Sequence, residues 1–161
     1  MTNETKVVAA NATVEISNDS TVAELNALAP KAGVITGSIA ATSLASLSDL
    51  STAGTDLITI TVNDGEGDAL NATDLSALGG KTGGTVTVSN AVVISGTTSQ
   101  VTAALVTDDT KVTASSALVT ISDANTTNID ATDLSAIGAK TGGAVTVSNA
   151  INIQGNTEQV T

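Results

Sequence analysis

Asp64-Gly65-Glu66-Gly67-Asp68 sets three carboxylates at alternate positions with glycines between them. Hard oxygen ligands on a flexible loop suit calcium. Asp64, Glu66 and Asp68 are therefore the candidate metal ligands, and calcium is the one cofactor the sequence suggests. The loop is not an EF-hand, whose invariant glycine and distant glutamate it lacks. It also lacks the G-G-x-G-x-D phrase of calcium-binding β-rolls. Its counterpart further on, Asp123-Ala124-Asn125-Thr126-Thr127, has lost the later acids. The plainer reading is a solvated acidic loop.

No catalytic residues are assigned, and the chain is read as a non-enzyme. It contains no His and no Cys, so the commonest general base and the thiolate nucleophile are absent. Asp74 and Asp133 recur at the start of two helical phrases, where an acid favours the helix dipole. Lys81 and Lys140 sit where those phrases end and read as cations at a helix C-terminus. Gly79-Gly80-Lys81-Thr82 has the flavour of a phosphate loop, but Leu75 stands where the first P-loop glycine belongs. The second copy, Gly138-Ala139-Lys140-Thr141, is weaker still. A last feature is a set of threonines, Thr59, Thr61, Thr85, Thr87, Thr120 and Thr146, at outward strand positions. Stacked, they would make a flat hydroxyl face of the kind that binds ice. Threonine is also simply a good residue for a solvated sheet face.

These residues are positioned by a repeat. Ala72–Thr102 returns as Ala131–Thr161, so that Leu75 recurs as Leu134 and Val86 as Val145. A fixed period points to an array of stacked units. Within it a short alternating phrase recurs at Val14, Val34, Ile60, Val86, Val119 and Val145, typically V-T-[VI]-S-[ND]. Apolar residues at every second position predict a strand. The steps from Ile60 to Val86 and from Val119 to Val145 are equal, and the step from Val86 to Val119 is longer. The period is therefore two unequal coils. Between strands lie short helical phrases: Thr21–Leu28 with a capping-box Glu24, Thr42–Leu50, Thr73–Leu78, Thr98–Val106 and Thr132–Ile137. Each spans about two turns and needs packing to persist. Gly83-Gly84 and Gly142-Gly143 mark corners just before a strand.

Strand and helix alternate without hairpin turns, which implies parallel pairing. The expected fold is a repeat solenoid: a parallel β-sheet of six strands with short helices or arcs on the opposite side. An all-β parallel β-helix is the alternative, because Val92-Val93-Ile94 and Ile151-Asn152-Ile153 would make further short strands. A β-sandwich fits least. Residues 1–13 read as a leader, 14–59 as atypical N-terminal coils that form a cap, and 60–161 as the repeats proper. The final copy stops in mid-pattern, which suggests a piece of a longer chain.

Composition narrows the function. The chain has no Phe, Tyr or Trp, so its core must be thin and filled with Val, Ile, Leu and Ala. A net charge of −11 with five Lys+Arg offers no stripe for nucleic acid or an anionic membrane. No run is long enough to span a bilayer, and no signal peptide is visible. Without Cys the redox compartment is not readable.

Ala131–Lys140, Gly142–Asn149 and Gln159–Thr161 carry a resemblance. From about Leu57 onward the sequence resembles the low-complexity repeats of very large surface proteins of marine bacteria, cyanobacteria especially, and of virion fibre proteins of their phages. The resemblance implies an extracellular, cell-surface or alternatively virion location and a structural role. The expected function is a structural or adhesive segment acting as a stiff spacer. Its expected partners are further repeats of the same chain or homotypic copies, joined through an open strand edge. The alternative is a calcium- or ligand-binding module, ice included.

Overall fold

A computed structural model describes residues 9–160. The elements run β1 (Ala9–Ser20), α1 (Val22–Leu28), β2 (Ala32–Ile39), α2 (Leu44–Leu47), β3 (Leu57–Val62), β4 (Ala69–Asn71), α3 (Ala72–Gly79), β5 (Val86–Val88) and β6 (Val93–Gly96). Then come α4 (Thr98–Val101), β7 (Val112–Thr113), β8 (Leu118–Ile121), β9 (Asn128–Asp130), α5 (Ala131–Gly138), β10 (Val145–Val147), β11 (Asn152–Gln154) and α6 (Thr157–Val160). A π-helical turn, Thr102–Val106, extends α4. The strand β1 starts inside the stretch read as a leader, whose residues 1–8 lie outside those described.

The result is an α/β fold of parallel sheets and short helices. The all-β alternative does not hold, because helices separate the strands. Its extra strands are nonetheless present, as β6 and β11. Alternation decides which side of each strand is buried: Val86 and Val88 are buried and Thr87 between them is exposed. Leu75 and Leu78 come from the helix side and join Val86 and Ile94 in one core of aliphatic side chains. Successive helices from α2 to α6 touch one another in chain order. Among the described residues, no helix is long and apolar enough to cross a membrane.

The sheets differ from the single six-stranded sheet expected. One has the order β1-β2-β3-β5-β7, a second β10-β8-β6-β4, and a third pairs β11 with β9. The phrases at Val14, Val34, Ile60 and Val86 lie in the first sheet, but those at Val119 and Val145 lie in the second. The cause is β7. Val112 pairs with Val86 just as Val86 pairs with Ile60, and so takes the next place in the first sheet. One period before Val112 and Thr113 stand Ala53 and Gly54, which form only the turn leading into β3. With the first sheet occupied, Val119 moves on to pair with Ile94 in the second. The long interval from Val86 to Val119 is therefore a step sideways to the neighbouring sheet.

Registers are regular from β3 onward. Ile60 pairs with Val86, and Val119 with Val145, at the same spacing. Leu70 pairs with Ile94, and Ile94 with Val119, at nearly that spacing. At the N-terminal end the step is shorter, from Val14 to Ile35, and β1 breaks register twice.

Candidate functional site

The acidic loop holds its carboxylates apart. Asp64 is half-buried, and its Oδ2 accepts the backbone N–H of Leu44, the first residue of α2, at 2.7 Å. The Asp68 Oδ2 accepts the Gly65 N–H at 2.7 Å and folds the loop onto itself. That fold needs Gly67, whose φ of +81° is one L side chains rarely adopt. Glu66 is exposed. The three acids do not converge, and among the described residues no three His, Cys, Asp or Glu side chains gather as a metal-ligand set.

The second copy shows what the first acid does. The Asp123 Oδ2 accepts both the backbone N–H and the hydroxyl of Thr98, each at 2.7 Å. Thr98 is the first residue of α4. Asp64 and Asp123 thus close the N-terminus of the helix that lies 20 to 25 positions earlier. A carboxylate at a helix N-terminus satisfies an orphan donor and the helix dipole together. Sequence inspection misses this because donor and acceptor are a whole register step apart.

Lys81 and Thr82 work the same way. The Lys81 Nζ donates to the Ser48 carbonyl at 2.7 Å, at the C-terminal end of α2 rather than of its own helix. Thr82 is 2% exposed. Its hydroxyl donates toward the Asp56 and Ile58 carbonyls and accepts the N–H groups of Ile58 and Gly84. Gly84 follows because a Cβ there would lie 2.4 Å from the Ile58 carbonyl oxygen. Thr141 and Gly143 repeat the arrangement against Ala117. The resemblance to a phosphate loop is therefore a clasp between neighbouring stretches of backbone. Asp56, which the sequence did not single out, is 6% exposed and accepts N–H groups from Ile35 and Ala53, each at 2.8 Å.

Helix α3 begins ahead of the phrase read from Thr73: Asn71 is its N-cap, and the Asn71 side chain accepts the Thr73 N–H. Asp74 and Asp133 stand in the first turns of α3 and α5, as expected, and both are exposed.

Two grooves remain. One, about 360 Å³, lies between α2, α3 and β4, with Leu44, Leu47 and Leu70 on its floor and Asp64, Asp74 and Lys81 beside them. The other, also about 360 Å³, lies between α4 and β9, with Asp123, Ile129, Asp130 and Asp133. Asp64, Leu70, Asn71 and Asp74 are the counterparts of those four in the preceding repeat. Each groove adjoins the first strand of a sheet, β4 or β9, where no earlier strand pairs among the described residues.

The threonines form columns, as expected, but on two sheets. Thr61, Thr87 and Thr113 are in register on the first. Ser95, Thr120 and Thr146 are in register on the second. No family model matches the chain, and no curated protein or solved structure matches it either.

Proposed function

We propose that the chain is a solenoid and that it serves as a stiff structural or adhesive segment of an extracellular cell-surface or virion fibre protein. The observation that carries this reading is the register. From β3 onward every pairing is parallel and joins strands a near-constant step apart in the chain, β3 with β5, β4 with β6, β5 with β7, β6 with β8, β8 with β10 and β9 with β11. Side-chain hydrogen bonds that bridge these pairings span 24 to 27 positions. Stacking of that kind adds length one unit at a time. The polar groups singled out as candidate site residues support the reading too. Asp64, Lys81, Thr82 and Asp123 all satisfy backbone groups of the adjoining stretch. A rod built so has a polar, acidic surface and little reactive about it. Small-angle scattering tests the proposal: an elongated particle is expected, and a near-spherical one overturns it.

Ice binding is the second reading, and the in-register column Thr61–Thr87–Thr113 favours it. Thermal hysteresis that vanishes in Thr87→Lys would support it. Freezing without hysteresis removes it.

A further inference from the structure

The recurring phrase pairs with itself. Ile60-Thr61-Val62 lies in register with Val86-Thr87-Val88, and Val119-Thr120-Ile121 with Val145-Thr146-Val147. The two residues that follow lock each pairing. Ser89 Oγ donates to the Val62 carbonyl at 3.1 Å, and Asn90 Nδ2 to the Asp64 carbonyl at 2.6 Å. Ser148 Oγ donates to the Ile121 carbonyl at 2.9 Å, and Asn149 Nδ2 to the Asp123 carbonyl at 2.7 Å. The rule is the same in both sheets: the Ser-Asn of one strand donates to the carbonyls of the strand before it.

Two copies of the phrase have a free edge among the described residues. One is Val14-Glu15-Ile16-Ser17-Asn18 in β1, the outermost strand of the first sheet. The other is Val145–Asn149, whose strand β10 is outermost in the second. At the β1 end the donors lack a preceding strand among the described residues: Ser17 and Asn18 are exposed, and Asn18 Nδ2 donates to the neighbouring Asp19 carbonyl. At the β10 end Val145, Val147 and Ile151 are only half-buried, whereas their counterparts Val86, Val88 and Val92 are buried. The pairings are parallel and run in one order, so the β1 edge of one molecule has the direction and the donors that the β10 edge of another would accept.

We propose that copies of this chain join head to tail, β1 of one pairing with β10 of the next, Val14 beside Val145, Glu15 beside Thr146 and Ile16 beside Val147. Ser17 then donates to the Val147 carbonyl and Asn18 to the Asn149 carbonyl. The Asn149 oxygen already accepts the Ile151 N–H, and its second lone pair takes the new donor. Such a contact is heterologous, so it repeats into a filament or a ring and does not close as a two-fold dimer. With a net charge of −11 on every copy, repulsion opposes the joint, and added salt strengthens it. The inference rests on the solenoid reading and names its partner.

Sedimentation of the 161-residue chain across concentration and salt is the test. Val147→Lys blocks the tail and leaves the head. Ser17→Asp with Asn18→Asp sets carboxylates against carbonyls, blocks the head and leaves the tail. Each variant alone should stay monomeric, and a mixture of the two should give one-to-one dimers and nothing larger. Asn18→Ala should weaken wild-type association roughly five-fold. Hydrogen exchange on the wild type gives a readout free of substitution: β1 and β10 amides should slow as concentration rises. A wild type that stays monomeric at all concentrations and salts overturns the proposal. So does association that survives both blocks, or a mixture that fails to dimerise. Scattering from monomeric Val147→Lys reads the rod shape separately, so an elongated monomer that never associates would sink the joint and leave the structural role standing.

Discussion

Ile94 and Ile153 occupy the same place in two nearly identical stretches of sequence, yet Ile94 is 0% exposed and Ile153 is 48% exposed. The first stretch has stacked backbone on both sides, since β6 lies between β4 and β8. In the second, β11 has only β9 beside it among the described residues. Burial here belongs to the neighbour and not to the local sequence: the same stretch is covered where strands flank it on both sides and open where they do not. The comparison predicts the largest pair of effects. Ile94→Ala should lower unfolding free energy by about 3 kcal/mol, within the range for buried aliphatic truncation. Ile153→Ala should lower it by less than about 1 kcal/mol. Urea titration measures both, and equal losses would mean that the second copy is covered in solution.

Gly79 and Gly138 sharpen the contrast at the backbone. A Cβ on Gly79 would lie 2.0 Å from the Thr110 carbonyl oxygen, and one on Gly138 meets nothing within 4 Å. The difference is the 3-10 turn Asp108–Thr110, which precedes β7 and sits against the end of α3. Gly79→Ala must push that backbone away and should destabilise by about 1–3 kcal/mol. Gly138→Ala gains helix propensity without a clash and should stabilise by about 0.5–1 kcal/mol. Melting temperatures moving in opposite directions would bear this out, and a shared direction would break it.

Much of the architecture is legible because alternation writes the strands directly: Val86-Thr87-Val88 and its equivalents are strands, and Val101, Ala104 and Leu105 form the buried face expected of the phrase from Thr98. The sideways step is not legible. Lys111-Val112-Thr113 is too short to stand out as a strand, and only its partner Val86-Thr87 makes it one. The polar residues were legible as types but not as roles. By type and neighbours Asp64 reads as a calcium ligand, and nothing near it in the sequence announces that it also accepts the Leu44 N–H, a donor 20 positions away.

That bond sets a third test. Asp64→Ala should cost about 1 kcal/mol, the usual loss for an N-terminal cap. Asp123→Ala should cost more, since Thr98 gives it both an N–H and a hydroxyl. Exchange should quicken in α2 for the first variant and in α4 for the second. Calcium and chelator should leave the melting temperature where it is. A rise with calcium that Glu66→Gln abolishes would support the metal reading.

The smallest effect compares two capping boxes that differ in charge. At α1, Thr21 N–H and hydroxyl donate to Glu24 Oε2 at 2.9 and 2.8 Å. At α4, Thr97 N–H donates to Gln100 Oε1 at 2.8 Å, with the Gln100 N–H returning to Thr97 Oγ1. The backbone and side-chain hydrogen bonds from Thr21 hold the Glu24 carboxyl below the ordinary glutamate value. A depressed folded-state pKa stabilises the fold above the unfolded value and loses that contribution as pH falls through the folded one. Helix α1 should therefore loosen below about pH 4, near the reference carboxylate range, while the glutamine box of α4 carries no such titration. Glu24 is fully exposed, so the change will show in exchange rates along α1 and hardly in global stability. Glu24→Gln should make α1 as indifferent to acid as α4. If α1 in that variant still loosens at the same pH, the Glu24 box is not what drives the transition.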